Sequence, residues 1–326
     1  MKAIVCKAFG PPADLTLEDD VPTPEPGASQ VRISVHAAGC NYPDFLMVQG
    51  LYQFKPPFPF SPGAEVAGVV SAVGDGVQGI EVGDRVLATI MWGGFAEEVV
   101  AESSAVVKLP EDFGFNEASG FLLTYATSLY ALADRGHLKA GQTLLVLGAA
   151  GGVGLAAVQI GKAMGARVIA AASSAEKLAL CKEAGADEVI NYAEEDLKTR
   201  AKALTNGNGA DVIYDPVGGA FAEPALRAIA WEGRYLVIGF AAGDIPKIPL
   251  NLPLLKGCDI VGVFWGSFMM RNPAGHQAHI NTLLEMWRKG EVKPVVSQVY
   301  PLAEASKALE DLGARRAKGK IVISVR

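Results

Sequence analysis

The chain has 326 residues, half of them hydrophobic, with 37 glycines and a net charge of -6. That length is ample for a large core and predicts two domains, while the acidic balance argues against a general pull towards nucleic acid or anionic lipid. The cysteines stand far apart at 6, 40, 181 and 258 with no CxxC pair, so no zinc knuckle or redox pair is expected.

The opening stretch, MKAIVCKAFGPP, lacks the apolar core of a signal peptide, and a reduced, cytoplasmic protein is expected. Residues 1–120 read as β-rich. VRISVHAAG, EVAGVVSAVG and DRVLAT are short β-branched runs ended by glycine or polar turns. The Pro-rich connections PTPEPG and PPFPFSPG imply rigid loops. From about 124 the pattern changes. TLLVLG reads as a buried strand, GGVGLAAVQIGKAMG as a helix, RVIAAA as a strand and SSAEKLALCKEAG as a helix. DEVI, ADVIYDPVG, GRYLVIG and CDIVGVFW supply further strands. Strands alternating with helices predict a doubly wound parallel sheet. Gln142–Gly161 carries no charge and has the length of a membrane span, but its five glycines favour strand, turn and helix. After about 268 a polar helix, HQAHINTLLEMWRKG, is followed by a helix around Ala303–Leu312 and a last strand, KIVISV. His276 and His279 are expected on the surface of the polar helix.

GAAGGVG follows a strand and opens a helix, as a G-x-G-x-x-G dinucleotide turn does, with Ala149 in the first glycine position. Ala150, Gly151, Gly152 and Val153 would lie against a pyrophosphate, whose charge suits a helix N-terminus. A tight turn packed on the sheet is the reading without a ligand. An NAD site carries Asp or Glu about 20 residues further on. Here the second strand ends in Ala171, Ala172, Ser173 and Ser174, with Lys177 one helical turn later and Tyr192 ending the next strand. Hydroxyls and an ammonium attract a 2′-phosphate, so NADPH is the predicted cofactor. Ser173 and Glu176 also fit an S-x-x-E capping box, and Lys177 fits an ordinary helix lysine.

NYPD, QGLY, PGAEVAGVV, the segment from GAAGGVG through INY, DPVGG and the terminal GKIVISV together resemble the zinc-free quinone oxidoreductase branch of the medium-chain dehydrogenase/reductase superfamily. The resemblance covers the whole chain. It implies a GroES-like β-rich catalytic domain over 1–123 and 268–326, and a Rossmann NADPH-binding domain over 124–267. It also implies a homodimer paired through CDIVGVFW. Zinc-dependent relatives take ligands from a Cys-x-x-Asp motif and a Gly-His-Glu motif. Here the spacing to Asp44 puts Asn41, not Cys40, in the ligand position, and Ala64 stands where the histidine would. Amide and methyl groups do not replace thiolate and imidazole, so no metal is expected. Cys40 is then a packed small residue, and Asp44 a brace for its loop.

Without a metal, a carbonyl must be polarised by hydrogen-bond donors and the product needs a proton. The resemblance puts Asn41 in the active site. Tyr52, in QGLY, also resembles the proton-donating tyrosine of mitochondrial-type enoyl thioester reductases; the alternative is an aromatic that walls a cleft. Tyr42 is a neighbouring donor beside the cofactor. Thr127 and Tyr130 resemble the segment next to the nicotinamide and phosphates. Phe240 and Phe264 follow late strands and are nicotinamide neighbours or core aromatics. Arg316 is a phosphate contact or a solvated charge. Leu46, and Val263-Phe264-Trp265, replace a tyrosine and an arginine found in some bacterial quinone reductases, giving a more apolar pocket. The predicted activity is NADPH-dependent hydride transfer to a quinone or an α,β-unsaturated carbonyl. An enoyl thioester reductase and a non-catalytic NADPH-binding protein are the rivals.

Overall fold

A computed structural model describes all residues, 1–326. The chain divides into two compact units, 1–123 with 294–326, and 124–293. The second boundary differs from the expected one. The helix Pro273–Arg288 belongs to the second unit, because its buried face (His276, Ile280, Leu283, Leu284, Met286) is formed there.

In the first unit a seven-stranded sheet runs in the order Val296–Pro301, Lys320–Ser324, Gln30–Gly39, Glu65–Val73, Arg85–Thr89, Val106–Lys108, with Glu98–Glu102 added on Gln30–Gly39. The strand Gln30–Gly39 alternates: Val31, Ile33 and Val35 are fully buried and their neighbours half-buried, as one-sided packing of a pleated strand requires. The final strand pairs antiparallel with its end, Ile323 opposite Ala38 and Val322 opposite Gly39. Residues some 280 apart in sequence thus become neighbours. Val296–Pro301 was not expected as a strand. Its burial is poor and irregular, and it forms at the sheet edge, parallel to Lys320–Ser324.

The second unit holds a six-stranded, wholly parallel sheet in the order Glu188–Asn191, Arg167–Ala172, Thr143–Val146, Ala210–Asp215, Ile229–Val237, Asp259–Gly262. This is the predicted doubly wound arrangement. Leu144, Leu145, Val146, Val168, Ile169 and Ile213 have no exposed surface, as expected of strands covered on both faces. The run CDIVGVFW contributes strand only over Asp259–Gly262, and Trp265 already lies in the helix Trp265–Arg271. No helix is long and apolar enough to cross a membrane.

Candidate functional site

Three strand ends of the second unit carry one cluster of predicted residues. The chain leaves Thr143–Val146, turns through Gly148 at φ +55°, and enters the helix Gly152–Ala163 with Gly151 as its N-cap. No side chain caps this helix, so its first N–H groups are left for an anion. A Cβ at Gly154 would stand 2.4 Å from the Gly148 carbonyl oxygen and 2.8 Å from Ala149, so only glycine lets the turn close on the helix. Ala150 is buried; Gly151, Gly152 and Val153 are half-buried around the turn.

The neighbouring strand ends at Ala172, which pairs with Asn191. Ser173 follows it and is exposed. The expected capping box of Ser173 and Glu176 does not form, because the cap falls one residue later and puts Lys177, whose ammonium cannot accept a hydrogen bond, at its third position. The cap of the helix Ala175–Glu183 is Ser174, whose hydroxyl accepts from the Lys177 N–H at 3.4 Å. Ser173 is therefore not taken up by the helix. On the third strand end, Tyr192 donates its N–H to the Ala172 carbonyl at 3.1 Å and lays its ring 4.4 Å from Phe221. Ser173 and Tyr192 thus follow the adjacent ends of two paired strands, and Lys177 lies in the first turn of the helix that comes after Ser174, on the same side of the sheet as the glycine turn. No carboxylate takes the place of Ser173. The groups present suit a pyrophosphate and a 2′-phosphate.

Other predicted residues of this unit are more dispersed. Thr127 is half-buried on the helix Leu122–Leu129. Tyr130 opens a π-helical stretch, Tyr130–Arg135, and stacks on Phe268 with ring centres 4.2 Å apart. Phe268 stacks in turn on His279 at 5.2 Å, and His279 Nε2 lies 3.2 Å from Asp134. The two histidines are not surface residues: His276 is 8% exposed and lies edge-on to Trp265. The aromatic face of Phe268 and Trp265 draws that side of the helix inward. Phe240 is half-buried and Phe264 is 46% exposed, so neither is a core aromatic.

In the first unit, Asn41 is the N-cap of the helix Tyr42–Val48, and its N–H donates to Asp44 Oδ2 at 2.8 Å. Asp44 is fully buried, which pushes its carboxyl up to about 7 against the pull of the Asn41 N–H and the Lys320 ammonium. The expected loop brace is therefore a capping carboxyl. Asn41 is also nearly buried. Its Nδ2 donates to the Gly39 carbonyl at 3.2 Å and to Glu65 Oε2 at 3.3 Å, and its Oδ1 accepts from Lys320 Nζ. Lys320 Nζ also bridges Glu65 Oε2 at 3.2 Å, and Glu65 Oε1 accepts from the Leu123 N–H at 2.9 Å.

Tyr52 is half-buried against the same core, its ring 6.2 Å from Phe54. Its hydroxyl makes no hydrogen bond to the protein. Burial, and then the Asp44 carboxylate, raise its phenol, which stays protonated at neutral pH. Tyr42 is half-buried at the first helical position, its ring 5.6 Å from Phe45. Arg316 is exposed and donates Nε to Asp311 Oδ1 at 2.7 Å, so the structure gives it an ion pair on the first unit's surface. All four cysteines are free and buried. Burial raises the Cys40 thiol far above its usual range. No group of three or more His, Cys, Asp or Glu side chains is placed to hold a metal.

Glu65 and Lys320 were not among the predicted site residues. The signals were present in PGAEVAGVV and GKIVISV, each a charge opening an apolar strand. A charge at the start of a strand reads as solvated unless the strands meet, and their meeting is a fact of the sheet.

Comparison with known proteins agrees with this architecture. The alcohol dehydrogenase GroES-like domain model matches residues 27–111, and the zinc-binding dehydrogenase model matches residues 152–289. The quinone oxidoreductase-like protein 2 homolog of Nematostella vectensis is 39% identical, covering 100% of this chain and 89% of that protein. The quinone oxidoreductase of Rattus norvegicus is 35% identical over 99% of this chain and 97% of its own. The crystal structure of Escherichia coli quinone oxidoreductase complexed with NADPH superposes with a TM-score of 0.93 at 30% identity, covering 100% of both chains.

Proposed function

The chain belongs to the quinone oxidoreductase branch of the medium-chain dehydrogenase/reductase superfamily, and from that membership we propose that it is an NADPH-dependent, zinc-independent oxidoreductase. Its acceptor is a quinone or an α,β-unsaturated carbonyl. The observation that carries the cofactor choice is the exposed Ser173 hydroxyl, with Tyr192 at the adjacent strand end, Lys177 in the first turn of the following helix, and no acid among the three. Bound NADPH supplies the hydride. The Gly148–Gly154 turn and the uncapped helix hold the pyrophosphate; Ser173, Lys177 and Tyr192 hold the 2′-phosphate. Thr127, Tyr130, Phe240 and Phe264 flank the nicotinamide half.

In the first unit Asn41 orients the acceptor oxygen or the nicotinamide ribose, with Tyr42 beside it. Tyr52, protonated and unpartnered, gives the proton that the reduced acceptor needs. That free hydroxyl also suits an enoyl thioester, the second acceptor class. Zinc independence rests on Asn41 and Ala64 at the two ligand positions. A second copy of the chain covers the edge strand Asp259–Gly262. In support, Ile260 is 42% exposed, and Leu250 and Leu254, shortly before it in the chain, are 80% and 78% exposed, a large apolar exposure for an uncovered edge. The free, buried cysteines suit the reducing cytoplasm.

The test is NADPH oxidation followed against 1,4-benzoquinone, 9,10-phenanthrenequinone, 2-hexenal and crotonyl-CoA, with and without a chelator. Chelator-resistant turnover is expected, and the best acceptor assigns the substrate class. Tight NADPH binding without turnover of any acceptor would favour a binding protein. Turnover lost to the chelator would overturn zinc independence. Sedimentation at micromolar concentration is expected to show a dimer.

A further inference from the structure

Lys320 is the first residue of the last strand, and Glu65 the first residue of the strand Glu65–Val73. Lys320 is 5% exposed and Glu65 not at all. The backbone makes room for them. A Cβ at Gly39 would stand 2.9 Å from Lys320 Cε and 3.1 Å from Glu65 Oε2, and one at Gly120 would stand 2.6 Å from Lys320 Cγ. A buried ion pair adds little net stability, because desolvating both charges offsets their attraction. What it can supply is geometry.

The geometry ends on Asn41. An ammonium only donates, so the atom that faces Lys320 must be the amide oxygen, and Nδ2 is thereby directed to the opposite side. One flip of the amide would set N–H against N–H. Glu65 receives Lys320 and one Nδ2 proton on the same oxygen, with its other oxygen held by the Leu123 N–H. The ammonium on Oδ1 also draws charge through the amide and makes its N–H groups stronger donors. Both Nδ2 contacts are long, 3.2 and 3.3 Å, so one proton can be given to a ligand without dismantling the network.

We propose that Lys320, held by Glu65, is the positioning residue for Asn41: it fixes the orientation of the amide and strengthens the donor that Asn41 offers to the acceptor oxygen or the nicotinamide ribose. The inference rests on the placing of Asn41 in the reaction site given above. It identifies a charged pair, far apart in the chain, through which a neutral amide does its work where relatives place a metal ligand.

The test is a cycle of four proteins: wild type, Asn41→Ala, the paired variant Lys320→Met with Glu65→Gln, and all three substitutions together. The paired change removes both charges at once, so that no lone buried charge is left to unfold the protein. Thermal unfolding and NADPH titration by fluorescence check the fold. The paired variant is expected to bind NADPH within about twofold of wild type and to lose about tenfold or more in kcat/KM. Asn41→Ala is expected to lose at least as much. The combined variant should lose no more than Asn41→Ala alone, because Lys320 acts only through the amide. A merely structural role would instead multiply the two losses, and that result overturns the proposal. So does wild-type turnover in the paired variant. Should the paired variant not fold, Lys320→Arg keeps the charge but forces a wider head between Gly39 and Gly120; the same loss with NADPH binding intact is expected, and unchanged turnover refutes the idea. If Asn41→Ala itself turns over normally, the fault lies with the placing of Asn41 and not with Lys320.

Discussion

The glycine turn of the second unit and the Asn41 turn of the first both open a helix, yet they treat their polar groups in opposite ways. At Gly151 no side chain caps the helix, and the N–H groups stay open. At Asn41 the Asp44 carboxyl closes the cap, and Glu65 and Lys320 satisfy the amide from two other strands. The first is built from backbone and absence, the second from side chains and burial. An open turn waits for a ligand's charge; a closed one holds a group in a fixed attitude. The substitutions that test the two should therefore fail in different measurements.

The largest effect is expected at the open turn. Gly154→Ala places a Cβ 2.4 Å from a backbone oxygen, where nothing flexible can yield. NADPH binding should weaken by about a hundredfold or more, read by fluorescence titration, with the fold intact by circular dichroism. Binding unchanged from wild type would show that this turn does not cradle the cofactor.

Next comes Tyr52→Phe. Removing one hydroxyl should lower kcat by about a hundredfold, the scale of a general acid, while the Kd for NADPH stays put. Equal kcat in the two proteins would leave Tyr52 as a wall of the cleft. A smaller effect is expected for Lys177→Ala. It should raise KM for NADPH by about tenfold and hardly touch NADH, because only one of the two carries the 2′-phosphate. Parallel changes with both cofactors would count against that role.

A different kind of effect, on stability and not on turnover, is expected at the closed turn. The Asp44 carboxyl is raised to about 7 in the folded protein, above its value in the unfolded chain. Below pH about 4 both states hold the proton. Between about 4 and 7 the unfolded state gives it up and the folded state does not, so stability falls as pH rises, by up to about 1.4 kcal/mol per pH unit. Asp44→Asn should remove that decline in denaturant melts across the window. Parallel pH profiles for the two proteins would show that Asp44 is not the group responsible.

The same contrast explains what could be read from the amino-acid order. The parallel sheet, its glycine turn, the strand-end residues Ser173 and Tyr192 and the helix residue Lys177 are local matters. Each element's residues are contiguous, and the period of the pattern tells strand from helix. The cap shifted by one because Ser173 and Ser174 compete for the same role, and one residue is below what spacing resolves. Asn41 could be picked out, but not what holds it. Its partners lie 24 and 279 residues away and meet only through the pairing of three strands. The burial of His276 and the partial burial of His279 were missed for a related reason. A helix of polar composition reads as solvated until Phe268 and Trp265 are seen to cover one side of it.

The burial of the four thiols has a chemical consequence. Quinones and enals are soft electrophiles that alkylate thiolates. Cys6, Cys40, Cys181 and Cys258 are all buried, and burial raises each thiol, that of Cys181 to about 12. At neutral pH the folded chain presents no cysteine thiolate to a conjugated acceptor. If the acceptor is a quinone or an enal, as proposed, such a protein would not lose its own cysteines to it.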